Sequence, residues 1–375
     1  MLRVAATCTL QAVILRRFKP IPGHQGGSAD ASRCKRPMSA RPRLSVGLPV
    51  YNGQRYLADA IDSLLSQSFE DFELIISDNA SNDSTADICQ RYARQDSRVR
   101  YIRQTRNIGL SPNHNFVVDE SRGEFFKWAA CDDLYGRDLL LRCVEALDAY
   151  PDVVLAHSWT AAIDDAGNVT QAYKYPLATD SPSAPERLRS FLFGSSGLFE
   201  SSKTGSRRLV RMDNNGILRA CDEYGVIRTD VLRKVAPHDS YHHEDRIVVG
   251  ELLLHGPFYE TPDWLYFRRD HEGRAYKSKL RDRCAILDPR RANRLRHPTA
   301  RLMAEYLWGY VAAIRRAPLS PEDRSACYRE LTHWIADRAV SSVLPRHLEP
   351  LDEHLSDANV NFADTVFALA TGPDR

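Results

Sequence analysis

Hydrophobic and polar positions follow a regular pattern from Leu44 onward, and it predicts strands and helices in turn. Short continuous apolar runs predict buried strands, whereas apolar residues spaced three and four apart predict one buried face of a helix. The predicted strands lie at 44–50, 72–77, 98–103 and 124–130, and the predicted helices at 57–65, 85–94, 111–120 and 138–150. Ser111 followed by Pro112 predicts an N-cap for the third helix. Such alternation favours an α/β fold with a mainly parallel, doubly wound sheet.

The pattern changes after residue 150. It predicts a strand at 153–163, a turn at 164–168, a returning strand at 169–175, a helix at 244–255 and a strand at 258–268. Between them, residues 176–220 are rich in proline and glycine and predict a long irregular segment. Loops of that length in a compact enzyme are usually functional or mobile. From Pro298 the spacing of apolar residues is helical and predicts a helical C-terminal extension.

Composition and charge narrow the classes of protein that the chain can belong to. A length of 375 residues suggests two domains, or one large domain with an extension. The 51 basic and 49 acidic residues leave a net charge of +2, which argues against a nucleic-acid partner bound through bulk electrostatics. The 8 cysteines are scattered without the spacing of a zinc site. They predict free thiols in a reducing compartment, and therefore a cytoplasmic protein.

Residues 1–40 are predicted to be an N-terminal extension outside the fold. The apolar stretch at 4–15 is too short and too mixed to span a bilayer, so any membrane contact would be peripheral. Its basic flanks give it a weak similarity to a signal or transit segment. Met38 stands directly ahead of the first predicted strand. That position favours either a mis-called start or a disordered leader.

Polar clusters follow three of the predicted strands, at the edge where open parallel sheets bind ligands. Neither a dinucleotide-binding glycine motif nor a P-loop is present. Tyr51 could stack on a planar base, and Asp78 could accept a hydrogen bond from a ring N–H. Asp132 and Asp133 could hold a hard divalent cation that bridges a diphosphate. Together these side chains predict a nucleotide-diphosphate site.

The same residues, in order, carry a resemblance to a known family. The spaced segments are Pro49-Val-Tyr-Asn-Gly53, Phe72-Glu-Leu-Ile-Ile-Ser-Asp-Asn79, Asn107-x-Gly109, Gly123-Glu-Phe125 and Asp132-Asp133. They resemble the family 2 glycosyltransferases with the GT-A fold, over residues 44–150 and more loosely over 224–271. The resemblance implies a GT-A domain at 41–285, with a nucleotide-binding half at 44–135, an acceptor-side half at 136–285 and a helical region at 286–375.

The resemblance also implies roles for individual residues. The residues implied to bind the nucleotide are Pro49, Tyr51, Asn52, Asp78, Asn79, Asn107 and Asp132. Asp133 and His271 are implied to hold Mg²⁺ or Mn²⁺, and Asp245 is implied to be the catalytic base, with the adjacent Glu244 as its competitor. Simpler alternatives stand beside these roles. Residues 78–79 can cap a turn, and the acidic residues at 132–133 and 244–245 suit the first turn of a helix.

An inverting sugar transfer is the activity that the resemblance implies, from a nucleotide-diphosphate donor, most simply a UDP-linked one, to an acceptor hydroxyl. The acceptor would be a glycan, a lipid-linked molecule or a small molecule, as in cell-envelope polysaccharide synthesis. Two alternatives remain open. One is a non-catalytic sugar-nucleotide-binding or scaffolding protein with the same domain. The other is a nucleotidyltransferase, although the basic glycine-rich loop expected after its first strand is absent.

Overall fold

The computed structural model describes residues 41–173, 178–194, 198–201, 207–210, 221–239, 244–274, 286–287 and 298–343. The strands are β1 (Leu44–Val50), β2 (Phe72–Asp78), β3 (Val99–Arg103), β4 (Phe125–Trp128), β5 (Leu134–Tyr135), β6 (Leu155–Ile163), β7 (Val169–Tyr173), β8 (Leu198–Ser201), β9 (Arg207–Val210), β10 (Val226–Arg228) and β11 (Phe258–Arg269). The helices are α1 (Leu57–Leu65), α2 (Thr85–Gln95), α3 (Leu110–Asp119), α4 (Leu139–Ala149), α5 (Ala184–Gly194), α6 (Thr229–Leu232), α7 (Glu244–His255), α8 (Pro298–Arg316) and α9 (Pro321–Val343). All of them belong to the larger of two units of the chain, Ala40–Arg375.

One large sheet organises the described part of the chain. Its strand order is β3-β2-β1-β4-β10-β6-β11-β5, with β7 paired to β6, and a separate ribbon is formed by β8 and β9. The first four strands in this order are parallel to one another, as are β6 and β11. β10 and β5 are antiparallel to their neighbours. The predicted α/β architecture, a mainly parallel, GT-A-like sheet with helices after it, is therefore confirmed.

Each face of the sheet has its own hydrophobic core. Successive side chains of a strand point to opposite faces, and Leu44, Val46 and Leu48 of β1 all contribute to one core, against α1, α2 and α4. Phe126 and Trp128 of β4 contribute to the other, against α3, α5, α7, α8 and α9. Because both faces are covered by helices, the strands are apolar almost throughout, which is why their sequence predicted buried strands.

Gly47 shows how closely a helix packs on this sheet. A Cβ atom at position 47 would lie 2.7 Å from Cγ2 of Val117 in α3 and 2.8 Å from Cζ of Phe126. Real Cβ atoms do not approach other atoms so closely, so any side chain here would push α3 away from β1. The glycine therefore sets the depth at which α3 lies, and with it the position of the loop that precedes α3.

The helical C-terminal region packs into the second core. Tyr306 and Tyr310 of α8, with Leu331 and Trp334 of α9, are buried there. This agrees with the predicted helical extension, whereas the predicted domain boundaries at 40 and 285 stay predictions. Among the described helices, none combines the length and the apolar character needed to cross a bilayer.

Two local expectations are wrong. The third helix begins at Leu110, with Gly109 as its N-cap at φ 97°, and Ser111 lies inside the helix with its hydroxyl buried. A positive φ is easy for glycine, so the preceding turn ends earlier than a serine cap would allow. Residues 176–220 are not irregular throughout, because they contain α5 and the β8–β9 ribbon. The apolar positions 188, 191 and 192 of α5 have helical spacing and are buried, a signal that the surrounding prolines and glycines hid.

A lysine is buried beneath the carboxyl end of β4. Lys127 is fully buried, and its ammonium group donates a hydrogen bond to the backbone carbonyl of Tyr224. The ammonium also lies 5.2 Å and 5.6 Å from the ring centroids of Tyr135 and Tyr266. Burial lowers the pKa of Lys127 to about 8, from an ordinary value of 10.5. The folded protein therefore releases this proton at a lower pH than the unfolded chain.

We expect Lys127→Met to change how stability depends on pH. The unfolded state binds more protons between about pH 8 and 10.5, so the wild type should gain stability relative to the variant as pH rises. Linkage predicts a relative gain of about 2 kcal/mol between about pH 7.5 and 9.5. Urea unfolding of both proteins at the two pH values measures this difference. Lys234→Met, which removes an exposed ammonium, is the control and should show no such gain. If the stability of all three proteins depended on pH in the same way, the lowered pKa of the buried Lys127 would be contradicted.

Candidate active site

The carboxyl ends of β1 and β2 are tied together by hydrogen bonds between their loops. The backbone N–H of Asn52 donates to Oγ of Ser81 at 2.9 Å, and that of Gly53 donates to Oγ1 of Thr85 at 2.9 Å. In return, Asn52 Oδ1 accepts a hydrogen bond from the N–H of Asn82 at 3.0 Å. Asn52 also adopts a φ of 53°, a left-handed conformation that asparagine tolerates well. Asn52, a predicted nucleotide-binding residue, thus helps to join the loops after β1 and β2 into one surface, called the rim below.

Tyr51 presents an aromatic surface on this rim. Its side chain is 47% exposed at the end of β1, which is unusual for a large aromatic residue next to a buried strand. The neighbouring Pro49 is buried within β1, where it lies opposite Ser77 of β2. Of these two predicted residues, Tyr51 therefore offers a ring for stacking and Pro49 contributes the shape of the backbone.

Asp78 lies at the end of β2 with its carboxylate fully buried. Oδ1 accepts a hydrogen bond from the N–H of Ser81 at 2.8 Å, and Oδ2 accepts one from the hydroxyl of Tyr101 at 2.9 Å. Nε of Arg103 is 3.8 Å from the same Oδ2. A carboxylate can accept more hydrogen bonds than these. A ring N–H of a nucleobase could therefore donate to Asp78 while the protein donors stay in place. Its role toward a nucleotide stays a prediction.

Asn79 and Asn107 act on one turn. The Asn79 side chain donates to Oδ1 of Asn107 and to the carbonyl of Gly109, each at 3.1 Å, and accepts a hydrogen bond from the N–H of Ile108 at 2.8 Å. Asn107 Oδ1 also accepts a hydrogen bond from the N–H of Gly109 at 2.9 Å. An aspartate at position 79 could not donate these bonds. The amide of Asn79 therefore fastens the loop before α3 to the end of β2.

The acidic pair lies between β4 and β5, and neither carboxylate belongs to the first turn of a helix. Asp133 is 1% exposed. Its Oδ2 accepts a hydrogen bond from the hydroxyl of Tyr266 at 2.5 Å, and its Oδ1 accepts one from the N–H of Arg269 at 2.9 Å. The guanidinium of Arg274 also contacts Oδ1. In this structure protein donors occupy both oxygens of the predicted metal ligand.

Asp132 is the more accessible member of the pair, with its side chain 22% exposed. Its Oδ2 lies 2.9 Å from Nε2 of His271 and 3.4 Å from Nε of Arg274. Burial opposes ionisation of Asp132, but the hydrogen bond from His271 and the charge of Arg274 lower its pKa below the ordinary value. The structure therefore places the predicted residue His271 against Asp132, next to Asp133 in the chain, and their roles toward a metal and a nucleotide stay predictions.

Arg269 forms a wall of this site that the sequence prediction did not include. Its Nε donates to the backbone carbonyl of Asp132 at 2.9 Å, and its Nη1 donates to that of Asp165 at 2.8 Å. The guanidinium lies 4.6 Å from the ring centroid of Tyr56, whose hydroxyl donates to Oδ1 of Asp165 at 2.5 Å. The turn between β6 and β7 is thereby fixed beside His271. The basic pair Arg268 and Arg269, which ends β11, was the available sequence signal for this wall.

Asp245 lies in the first turn of α7, partly buried, and its Oδ1 accepts a hydrogen bond from the N–H of Arg246 at 2.8 Å. Arg246 is buried, donates from Nε to the hydroxyl of Tyr306 at 3.0 Å and lies 4.8 Å from the ring centroid of Phe191. These contacts fasten the start of α7 to α5 and α8. The Glu244 side chain and residues 242–243 lie outside the described part. Within it, no hydrogen bond or ion pair joins Asp245 to the acidic pair.

The donor set fits a divalent cation that shares its coordination with a ligand. Among the described residues, no three His, Cys, Asp or Glu side chains are grouped to hold a metal by themselves. Mg²⁺ is commonly held by one or two carboxylates together with substrate phosphates. Asp132 and Asp133 supply two such carboxylates, and the imidazole of His271 lies against Asp132. The remaining ligands would come from the oxygens of a diphosphate.

Comparisons with known proteins identify relatives of this chain. The sequence model of Glycosyl transferase family 2 matches residues 45–236. The uncharacterized glycosyltransferase MJ1057 of Methanocaldococcus jannaschii is 29% identical over 136 residues, which cover 36% of this chain and 47% of the relative. The GalNAc(5)-diNAcBac-PP-undecaprenol beta-1,3-glucosyltransferase of Campylobacter jejuni is 32% identical over 134 residues, covering 35% and 42%. The chain thus spans about half or less of the length of these two relatives.

A solved structure gives a similarity in three dimensions. S. aureus TarS 1-349 in complex with UDP-GlcNAc is similar to this chain with a TM-score of 0.48 at 13% sequence identity. The superposition covers 83% of this chain and 95% of the TarS chain.

We expect Asp78→Ala to destabilise the protein, because it leaves the buried Ser81 N–H and the partly buried Tyr101 hydroxyl without their acceptor. An unsatisfied buried donor costs about 1–3 kcal/mol, so the free energy of unfolding should fall by about 2–4 kcal/mol. Urea unfolding measures the loss. Asp87→Ala, at an exposed position of α2, is the control and should cost less than about 1 kcal/mol. Equal stability of the two variants would show that Asp78 does not organise this rim.

Proposed function

The chain belongs to glycosyl transferase family 2, and from that premise we propose that it transfers a sugar from a nucleotide-diphosphate donor to an acceptor hydroxyl. The observation that carries this proposal is the pair of the partly buried Asp132 and the buried Asp133, held at the carboxyl edge of the sheet against His271 and Arg274. Such an edge is where open α/β sheets bind ligands. A guanidinium beside such carboxylates suits the transfer of a group away from a diphosphate.

The nucleotide is proposed to bind across the rim formed by the β1 and β2 loops. The exposed ring of Tyr51 offers a stacking surface for the base. The buried carboxylate of Asp78 would accept a hydrogen bond from a ring N–H, a group that uracil presents. Guanine presents such a group as well, so the pairing is proposed here for a UDP-linked donor and is tested below against GDP-linked donors. Asn79 and Asn107 support the site by holding the adjoining turn.

A divalent cation, Mg²⁺ or Mn²⁺, is proposed to be held by Asp133 and His271, with Asp132 beside them. When bound, it would neutralise negative charge that develops on the departing diphosphate. The protein groups around the cation would have separate roles. Without the cation, His271 orients the Asp132 carboxylate through its 2.9 Å contact, and this contact would have to open for Nε2 to bind the cation. Tyr266 and the backbone N–H of Arg269 fix the plane of the Asp133 carboxylate.

Asp245 is proposed to be the base that removes the proton from the acceptor hydroxyl as that oxygen attacks the anomeric carbon. Attack from the face opposite to the departing diphosphate would invert the configuration, through a transition state of oxocarbenium character. A base must be held in position to act. The hydrogen bond from the buried Arg246 to Tyr306 supports this role, because it restrains the helical turn that carries Asp245.

A lipid-linked or glycan acceptor is the class we propose. The name of the Campylobacter jejuni relative describes a glucosyltransferase acting on an undecaprenol-linked glycan. By analogy the chain would act in the synthesis of a cell-envelope polysaccharide, in the cytoplasm and with peripheral contact at the membrane where the acceptor lies.

Release of the nucleotide diphosphate tests the proposed function. The protein is incubated with a panel of UDP-linked and GDP-linked sugars and Mn²⁺, with and without an acceptor extract. A glycosyltransferase should release the diphosphate from one donor, faster with acceptor. A non-catalytic binding protein should instead be stabilised against thermal unfolding by the same donor without any release, and that result would contradict the proposal.

We expect Asp245→Asn to keep donor binding and lose turnover, because an amide has the size of the carboxylate but cannot take the proton. Removal of a general base costs about 10²–10⁴ in rate. Initial rates of diphosphate release and calorimetric titration with UDP and Mn²⁺ measure the two effects. Glu244→Gln is the matched control on the neighbouring residue and should remain active. If Glu244→Gln is the inactive variant instead, the base is Glu244.

We expect Asp133→Asn to lose the coupling between metal and nucleotide. The measured quantity is the ratio of UDP affinities with and without Mn²⁺ in one variant, so a general loss of stability cancels. The ratio should fall from well above 1 toward about 1, because a neutral amide is a weak ligand for a hard cation. Asp165→Asn, which changes an exposed carboxylate beside Tyr56, should keep the ratio of the wild type. An unchanged ratio in Asp133→Asn would remove this residue from the metal site.

A further inference from the structure

Arg274 occupies a position that nothing in the sequence pattern singled out. Its guanidinium contacts Oδ1 of Asp133, and its Nε lies 3.4 Å from Oδ2 of Asp132. The side chain is 10% exposed. One cation thus faces both carboxylates of the acidic pair, at the oxygens through which a divalent cation would be bound.

The other basic groups nearby are directed elsewhere or act on one carboxylate. The guanidinium of Arg269 is hydrogen-bonded to the backbone carbonyls of Asp132 and Asp165. The group of Arg269 that donates to Asp133 is its backbone N–H. His271 contacts Asp132 alone among the two aspartates. Although burial lowers the pKa of Arg274, the two carboxylates raise it, and the guanidinium stays charged. Among the described residues, Arg274 therefore pairs directly with the Asp133 side chain, and the charge of Arg268 also stabilises that carboxylate. A buried charge without a partner is costly, so this ion pair compensates Asp133.

The hydrogen bonds of Arg274 are incomplete. Its Nε–H is buried and has no hydrogen-bond partner among the described residues, because the geometry toward Asp132 is that of an ion pair only. Buried polar atoms are normally satisfied. A guanidinium has a donor fork that matches a phosphate in a bidentate manner. An unsatisfied N–H of such a group, within a proposed diphosphate site, points to a ligand that completes it.

Arg274 is attached to the site by a short turn. Its N–H donates to the carbonyl of His271 at 3.3 Å, and the N–H of Gly273 donates to Nδ1 of His271 at 3.1 Å. The turn leaves the end of β11, whose pairing with β5 places Tyr266 opposite Tyr135. The turn therefore carries His271 and Arg274 to the acidic pair together.

We propose that Arg274 is an exchangeable counter-cation of this site, an inference that rests on the proposed function. Without donor, its guanidinium neutralises Asp132 and Asp133 and competes with divalent cations for their oxygens. With donor, the guanidinium leaves the carboxylates and binds the diphosphate, so that the acidic pair becomes available as the diphosphate arrives. Arg274 thereby makes metal binding depend on the nucleotide.

Substitution of Arg274 distinguishes the proposed exchange from a purely structural ion pair. The exchange predicts opposite changes in the affinity for Mn²⁺ and in the affinity for UDP. Arg274→Gln should bind Mn²⁺ alone at least about tenfold more tightly than the wild type, because a cation beside the carboxylates has been removed. The same variant, at saturating Mn²⁺, should bind UDP about 10-fold to 100-fold more weakly, the range for losing a hydrogen bond to a charged group. Titration calorimetry with Mn²⁺ alone, and then with UDP or GDP in Mn²⁺, measures both.

Two further variants make the test independent of folding. Arg274→Lys keeps the positive charge and should bind Mn²⁺ alone as the wild type does, while its single point charge binds UDP more weakly. Arg142→Gln, on the surface of α4 and 3.9 Å from Glu145, should leave both affinities unchanged. If Arg274→Gln binds Mn²⁺ no more tightly than the wild type, or binds UDP as well, the proposed exchange is wrong. If the wild type binds neither UDP nor GDP, the proposed function fails, and the Mn²⁺ titration still decides whether Arg274 competes with the cation.

Discussion

Two adjacent carboxylates have been placed in the interior, and the rest of the candidate site is arranged around their charge. Asp133 is nearly inaccessible and Asp132 is mostly covered. A buried carboxylate is tolerated only when hydrogen bonds and an opposite charge replace the water that it has lost. Here the compensation comes from a distant part of the chain, the end of β11 and the turn that follows it. The electrostatic requirement therefore joins the segment between β4 and β5 to residues 266–274.

The sheet explains how those two segments meet. β5 pairs with β11 so that Leu134 lies opposite Phe267, and β11 in turn runs parallel to β6. Side chains alternate across a strand, so a register shift of one residue would turn Tyr266 away from Asp133. Arg269 then extends the assembly by bonding the backbone of the turn between β6 and β7. Strand register thus controls the electrostatics of the site.

The helical C-terminal region has a structural connection to the proposed chemistry. Arg246 and Glu251, both on α7, are buried and bonded to Tyr306 and Arg316 of α8. Buried charged hydrogen bonds of this kind hold a geometry firmly, because leaving either partner unsatisfied is costly. The packing of α8 therefore bears on the orientation of the turn that carries Asp245, and α7 and α8 both lie outside the matched residues 45–236.

Local patterns in the sequence were sufficient for the order of strands and helices from β1 to α4, apart from the short β5, for β6, β7 and β11, and for the polar clusters after β1, β2 and β4 that include Asp132 and Asp133. They missed β5, β8, β9, β10 and α6. Apolar periodicity and short motifs involve residues that are close together in the chain, so they can be recognised from the sequence alone. The same reasoning failed at α5, where prolines and glycines outweighed a helical spacing, and at the start of α3. It also could not find Arg274 as the partner of Asp133, because that contact joins residues 133 and 274 through strand pairing. Charge compensation between distant segments depends on register and burial, and these exist only once the chain has folded.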